Sequence, residues 1–172
     1  PARSDVTEPL GPIAAKAQVV DMTCSFILPT QGDYTFATVP TPEEEARVAV
    51  EFLKRKGARS IGILNAIDLY DKTSARAFAE EAAKHGIKVV ATESYNAAVD
   101  KNFIPQLTKI KAANPDWLTI QGSGAAVPLV MNQKGEIGFG APTLGNLAFS
   151  VGGIAPLLKI AGQNVQGAYL TT

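Results

Sequence analysis

Between Gly57 and Asp71 the chain reads GARSIGILNAIDLYD, and no other stretch constrains its fold as much. Ile61, Ile63 and Leu64 make a short apolar, partly β-branched run closed off by glycine and by polar loop residues. That is the pattern of a strand buried on both faces, which needs a helical layer above and below it. A helix is expected to open at Asp71. In an open parallel α/β sheet, ligands gather at the carboxyl ends of the strands, where loops lead into the next helix. Tyr70 stands at that end. It can lay a flat ring on a small molecule and offer a hydroxyl beside it, or it can simply cover a helix N-terminus.

The flanks of this stretch repeat along the chain. Ahead of it, Thr41 is an N-cap, Pro42 suits the first helical position, and Glu44 completes a capping box. Ala46, Ala49, Val50 and Leu53 share one helical face, and Gly57 ends the helix. After it, Ala75, Phe78, Ala79 and Ala82 mark a helix stopped by Gly86, followed by a strand over 87–92. Asp100 is expected to cap a helix bearing Phe103, Leu107 and Ile110, which ends before Asn114-Pro115. A strand over 117–121 leads through Gly122-Ser123-Gly124 into a helix reaching Gly135. A short strand over 142–145, a Gly- and Pro-broken helix within 153–161 and a strand over 165–170 follow. Before Thr41 the pattern is weaker: a short helix from Leu10 into a strand at Val19–Met22, a turn at Pro29–Gly32, and an extended piece at Phe36–Val39. The alternation predicts an α/β fold, a three-layer, doubly wound, mainly parallel sheet with right-handed crossovers.

Composition narrows the function by exclusion. Lys and Arg number 16 and so do Asp and Glu, with no block of one sign, so a phosphate backbone has little to attract it. No apolar run approaches the ~18 residues that span a bilayer. The one cysteine, Cys24, excludes an internal disulfide. The chain opens on Pro1 with no visible signal peptide, and is expected to be processed or cut from something larger.

Catalytic and cofactor signals are sparse. His85, the only histidine, stands beside Gly86 at a helix C-terminus, where partial positive charge is welcome. No second histidine or thiol gives it metal-ligand spacing, and no base has a sequence relation to Cys24. The loop Gly122-Ser123-Gly124 suggests either a cradle for a small anion or a plain turn. The dinucleotide fingerprint fails there, because Val127 occupies its third glycine position. The residues therefore predict neither an enzyme, nor a metal site, nor a cofactor.

A set of motifs then falls in order: Phe36-Ala37-Thr38 before the capped helix; Lys56-Gly57-Ala58-Arg59-Ser60-Ile61-Gly62-Ile63-Leu64; and Asp68-Leu69-Tyr70. His85-Gly86-Ile87-Lys88-Val89-Val90 follows, then Asp100, Phe103, Gln106-Leu107 and Ile110-Lys111, then Ala113-Asn114-Pro115-Asp116. Gly162-Gln163-Asn164-Val165-Gln166-Gly167-Ala168-Tyr169 completes the set. Together they resemble the type I periplasmic binding proteins of ABC transporters for branched-chain amino acids and related small acids.

The resemblance implies two α/β lobes joined by three crossovers and closing over a ligand. It implies that residues 1–35 are the end of the first lobe with its crossover, and that 36–172 are the second lobe, ending near the third crossover. It also implies a periplasmic location, a membrane permease as partner, and a tendency of an isolated lobe to self-associate through under-buried apolar surface at 10–26. Expected ligand contacts are Tyr70 as a stacking wall with Asp68 in the same loop, Gly122, Ser123 and Gly124, and Asn146. Cys24, Ser25 and Phe26 are expected from a first-lobe loop that holds a ligand carboxylate. The family's usual Gly after this Tyr is Asp71 here, a change expected to affect only helix capping. The loop at Gly145-Asn146 supplies an acid for a ligand ammonium in aliphatic amino-acid binders, and carries no carboxylate here. An unpaired buried ammonium is costly, so the ligand is expected to carry a carboxylate and an apolar or aromatic body without needing an α-amino group. Two other readings are a sensory or regulatory lobe of the same fold and a flavodoxin- or Rossmann-like enzyme.

Overall fold

A computed structural model describes residues 4–25, 34–150 and 154–171. Its centre is a sheet of five strands, β3 (Ser60–Ala66), β4 (Lys88–Tyr95), β5 (Trp117–Gln121), β6 (Thr143–Gly145) and β7 (Ala168–Leu170). They run in the order β4-β3-β5-β6-β7, every pair parallel. The chain enters at β3, steps out to β4, and returns to the other side of β3 at β5. This reversal puts a topological switch point at the carboxyl ends of β3 and β5.

Alternating side chains split the sheet's apolar residues between two cores. Ile61, Ile63, Trp117 and Leu144 face α2 (Pro42–Arg55) and α3 (Leu69–Lys84), where Val50, Leu53 and Phe78 meet them. Leu64, Leu118 and Ile120 face α4 (Ile104–Ala112), α5 (Ala126–Glu136) and α6 (Ile154–Ala161), meeting Phe103, Leu107, Ile110, Val130 and Met131. The fold is thus the expected three-layer, doubly wound α/β sheet, with β4 as the half-exposed edge strand.

The N-terminal region carries its own small sheet. Helix α1 (Ser4–Ala17) precedes β1 (Asp21–Thr23), which pairs in parallel with β2 (Thr35–Ala37) in a two-stranded sheet. The division expected between residues 35 and 36 falls within β2, whose partner is β1. The turn expected at Pro29–Gly32 lies outside the described residues.

Local signals and structure agree where a cap is explicit. Thr41 and Glu44 form both bonds of the capping box, with Pro42 in the first turn. They part elsewhere. Helix α1 begins at Ser4 rather than near Leu10, carrying Pro9 and Pro12 within it, and breaks at Gln18 (φ 53). Helix α3 begins at Leu69, with Asp68 as its N-cap. Asp71 is therefore its third residue rather than its opening, and Tyr70 lies inside the first turn. Asp100 does not cap α4, whose N-cap is Phe103; its Oδ2 instead accepts the Asn96 N–H at 2.7 Å and closes a preceding turn. Finally, β4 runs on to Tyr95, and 162–165 form a 3₁₀ turn ahead of a shorter β7.

Candidate ligand-binding site

The strand registers build the site. Ser94 on β4, Asn65 on β3 and Gln121 on β5 are directly paired neighbours. Asn146 and Thr171 follow Gly145 and Leu170, the last paired residues of β6 and β7. Their N–H groups continue the ladder, to Ile120 O at 3.2 Å and Gly145 O at 3.4 Å. One polar residue from each strand thus forms a row across the carboxyl end of the sheet, on the face covered by α2 and α3. Gln121 and Asn146 are fully buried and Asn65 is 4% exposed.

Each half of the row has its own partners. At the β4 side, Ser94 Oγ donates to Asn65 Oδ1 (3.1 Å) and Asn65 Nδ2 to the Ala66 carbonyl (2.8 Å). In the middle, Ser74 Oγ of α3 donates to Gln121 Oε1 at 2.7 Å, leaving Gln121 Nε2 without a partner. Beside it, Asn146 Nδ2 donates to Asp71 Oδ1 at 3.1 Å, while Asn146 Oδ1 and Asp71 Oδ2 are both buried and unpartnered. At the β7 side, Glu45 of α2 accepts three donors: Tyr70 Oη at 2.7 Å, the Leu147 N–H and Thr171 Oγ1. Glu45 so ties α2, α3 and the ends of β6 and β7 together.

Charge in this region is one-sided. Burial pushes the Asp71 carboxyl up to about 8, with the Asp68 carboxyl beside it and Glu45 adding to the rise, and the Asn146 bond partly offsetting it. Burial, then the charge of Glu45, pushes the Tyr70 hydroxyl up. Burial and the charges of Asp71 and Asp68 do the same to Tyr95. The Tyr95 ring is 1% exposed, packs edge-on against Phe103 at 5.0 Å, and leaves its hydroxyl unpartnered.

The expected contacts are scattered by depth. Tyr70, Asp68 and Asn146 come together, but Tyr70 is only 7% exposed and its hydroxyl is held by Glu45. Asp68 is exposed, and its Oδ1 accepts the Asp71 N–H at 3.1 Å. Gly122 makes room for Tyr95: a Cβ there would stand 2.1 Å from the tyrosine Oη. Gly124 is exposed with φ +67, and Ser123 is half-buried, both just ahead of α5, whose N-cap Ala125 makes no side-chain cap. Cys24 and Ser25 lie by the two-stranded sheet, with Ser25 Oγ donating to Ser4 Oγ at 3.0 Å and Thr38 Oγ1 to the exposed Cys24 Sγ at 3.4 Å. Phe26 lies outside the described residues.

Asp71, Glu45, Ser74, Gln121 and Tyr95 were not anticipated. Asp71 and Glu45 sit in first helical turns, where an acid is explained by the helix dipole alone. Asp71 does more than cap, and a carboxyl does stand beside Asn146; it comes from α3, not from the Asn146 loop. Among the described residues no three His, Cys, Asp or Glu side chains group as metal ligands, and no helix is long and apolar enough to cross a membrane.

This architecture is shared with known structures. An extracellular ligand-binding receptor from Rhodopseudomonas palustris HaA2 aligns at 26% identity and TM-score 0.84, over 97% of this chain and 47% of that one. A leucine-binding protein from Thermotoga maritima aligns at 21% identity and TM-score 0.87, over 98% and 48%. A branched-chain amino-acid ABC transporter protein from Thermus thermophilus with bound valine aligns at 16% and TM-score 0.87, over 98% and 44%. The last two likenesses carry the fold alone. The chain spans about half the length of the solved structures it matches. No curated protein sequence matches it. A family model described as periplasmic binding protein matches residues 1–172 throughout, and the chain belongs to that family.

Proposed function

We propose that this chain is the ligand-binding lobe of an extracytoplasmic substrate-binding protein serving an ABC transporter of the branched-chain amino-acid type. The observation that carries the reading is the match to the periplasmic binding protein family, and a row of buried polar side chains at the switch point of the sheet supports it. The solute is a small molecule bearing a carboxylate, an amino acid or an aromatic or aliphatic acid, held between two lobes. Residues 36–172 form the second lobe and 1–35 the end of the first with its crossover. Asp68, the edge of Tyr70, the Gly122–Gly124 loop and Asn146 face the solute from one side, and the segment around Cys24, Ser25 and Phe26 faces it from the other. The protein acts by binding and delivery to a membrane permease, without chemistry of its own. Calorimetric titration of the intact protein with amino acids and with aromatic and aliphatic carboxylic acids tests this. Micromolar binding of at least one is expected, and no binding at millimolar concentration by any of them rejects it.

A further inference from the structure

We propose that the outer edge of β4 is an interface through which two copies of this protein pair, edge to edge and antiparallel, about a two-fold axis. The contact is independent of the solute and of the β1–β2 pair.

The first ground is an open edge. β4 is the longest strand of the sheet, Lys88–Tyr95, and stands at one end of the order β4-β3-β5-β6-β7. Among the described residues it pairs with β3 alone. It holds no proline or glycine, and Lys88, Val90, Thr92 and Ser94 are exposed along it. An uncovered edge of this kind offers its N–H and C=O groups to another strand.

The second ground is the phase of the backbone. The Lys88 N–H donates to Arg59 O at 2.9 Å, and the Tyr95 carbonyl accepts the Ile67 N–H at 3.0 Å, so both residues turn inward to β3. A strand repeats every second residue, yet an odd interval separates these two. The irregularity between Ile61 and Gly62 resolves this, because Val90 is the extra residue of a bulge. Val89 before the bulge and Thr92 after it therefore both turn their backbone groups outward.

The third ground is charge. Val89 and Thr92 pair with Ile61 and Ile63, on the face of α2 and α3. Lys88 and Glu93 pair with Ser60 and Leu64 and share the opposite face. With the axis between Val90 and Ala91, Val89 lies opposite the partner's Thr92 and Lys88 opposite the partner's Glu93, each twice. Opposite positions hold their Cβ atoms about 5 Å apart, within reach of an ion pair. Lys88 forms no ion pair among the described residues, and Glu93 meets Lys109 through Oε2 at 3.1 Å, which leaves its Oε1 for a second cation. An axis through Glu93 would set two carboxylates against each other, and one through Thr92 would part Lys88 from Glu93. A bulge and a lysine commonly blunt an edge; here they single out one self-complementary register, and a two-fold contact closes at the dimer.

The test is sedimentation equilibrium of the intact, ligand-free protein at low salt, from about 1 to 300 µM, since a contact through one strand lies at the small end of specific interfaces. A monomer–dimer equilibrium is expected. Lys88→Glu and Glu93→Lys should each weaken it about 10-fold or more, because two attractive pairs become repulsive. An equimolar mixture of the two variants should restore it, each then meeting the opposite charge; thermal midpoints check that both fold. In the native protein, amide exchange at Val89 and Thr92 should slow as concentration rises. A native protein that stays monomeric throughout overturns the interface. So does association that both variants leave unchanged, a mixture no stronger than its components, or exchange at Val89 and Thr92 that ignores concentration.

Discussion

Asp71 shows how burial makes one residue's stability contribution depend on pH. Its carboxyl titrates near 8 in the folded chain because burial, Asp68 and Glu45 disfavour its charge. In the unfolded chain it titrates near 3.8, the ordinary value. A raised folded value means that its contribution is fully present below about pH 4 and is lost as pH rises through about 8. Each unit of separation is worth about 1.4 kcal/mol, so the loss is on the order of a few kcal/mol. Urea denaturation of the ligand-free protein between pH 5 and 9 should show this decline, and Asp71→Asn should flatten it. A second prediction concerns Gly122. Adding a methyl there drives Cβ to 2.1 Å from Tyr95 Oη, and the ring cannot swing clear because it is buried against Phe103. Gly122→Ala should cost about 1–3 kcal/mol. Tyr95→Phe removes both the clash and an unpartnered hydroxyl, so it should rescue that variant and leave the parent as stable or slightly more so.

At the scale of elements, helix α2 is held at its N-terminus by two independent devices. Its capping box, Thr41 with Glu44, is local: Thr41→Ala should cost about 1 kcal/mol in thermal or urea unfolding. Glu45, one residue further on, is a tertiary clasp accepting from α3, from Leu147 after β6 and from Thr171 after β7. Glu45→Ala leaves a phenol, a backbone N–H and a threonine hydroxyl short of an acceptor, and should cost about 2–4 kcal/mol. Hydrogen exchange should show the added opening at Leu147 and Thr171, well beyond α2 itself. Sequence alone distinguished these two glutamates poorly. Both stand in the acidic first turn of a capped helix, and only the packing of α2 across the sheet ends separates a solvated face from a buried acceptor. Asp100 is the converse case, a residue whose spacing suited a cap and whose carboxylate is used by the turn before the helix.

Over the whole molecule, several of the exposed apolar side chains belong to the N-terminal end. Ile13, Val19, Val20, Met22 and Phe36 are each between 51% and 62% exposed, around the separate β1–β2 pair. Exposed apolar side chains favour association, and β1 and β2 also leave strand edges unpaired at their outer sides. Residues 1–172 prepared alone are expected to self-associate, with a sedimentation coefficient that rises with concentration. Met22→Ser with Phe36→Ser should reduce this without moving the thermal midpoint of the five-stranded lobe. A strictly monomeric species at high concentration would reject the expectation.

What could be read along the chain was whatever a few consecutive residues decide. Apolar runs, caps and stop glycines act within one or two turns, so strand β5, the capped helix α2 and the doubly wound class are legible from Trp117–Gln121, Thr41–Gly57 and the alternation that joins them. The candidate site is of another kind. Ser94, Asn65, Gln121, Asn146 and Thr171 become one row only when five parallel strands settle into register, and nothing local to any of them announces it. Asp71 looked like helix capping because its neighbours in sequence are a helix start. Its burial against Asn146, 75 residues away, follows from the packing of α3 on the sheet. The stretch from Gly57 to Asp71 thus announces its strand by itself, while the acid at its far end takes its meaning from contacts made only in the folded molecule.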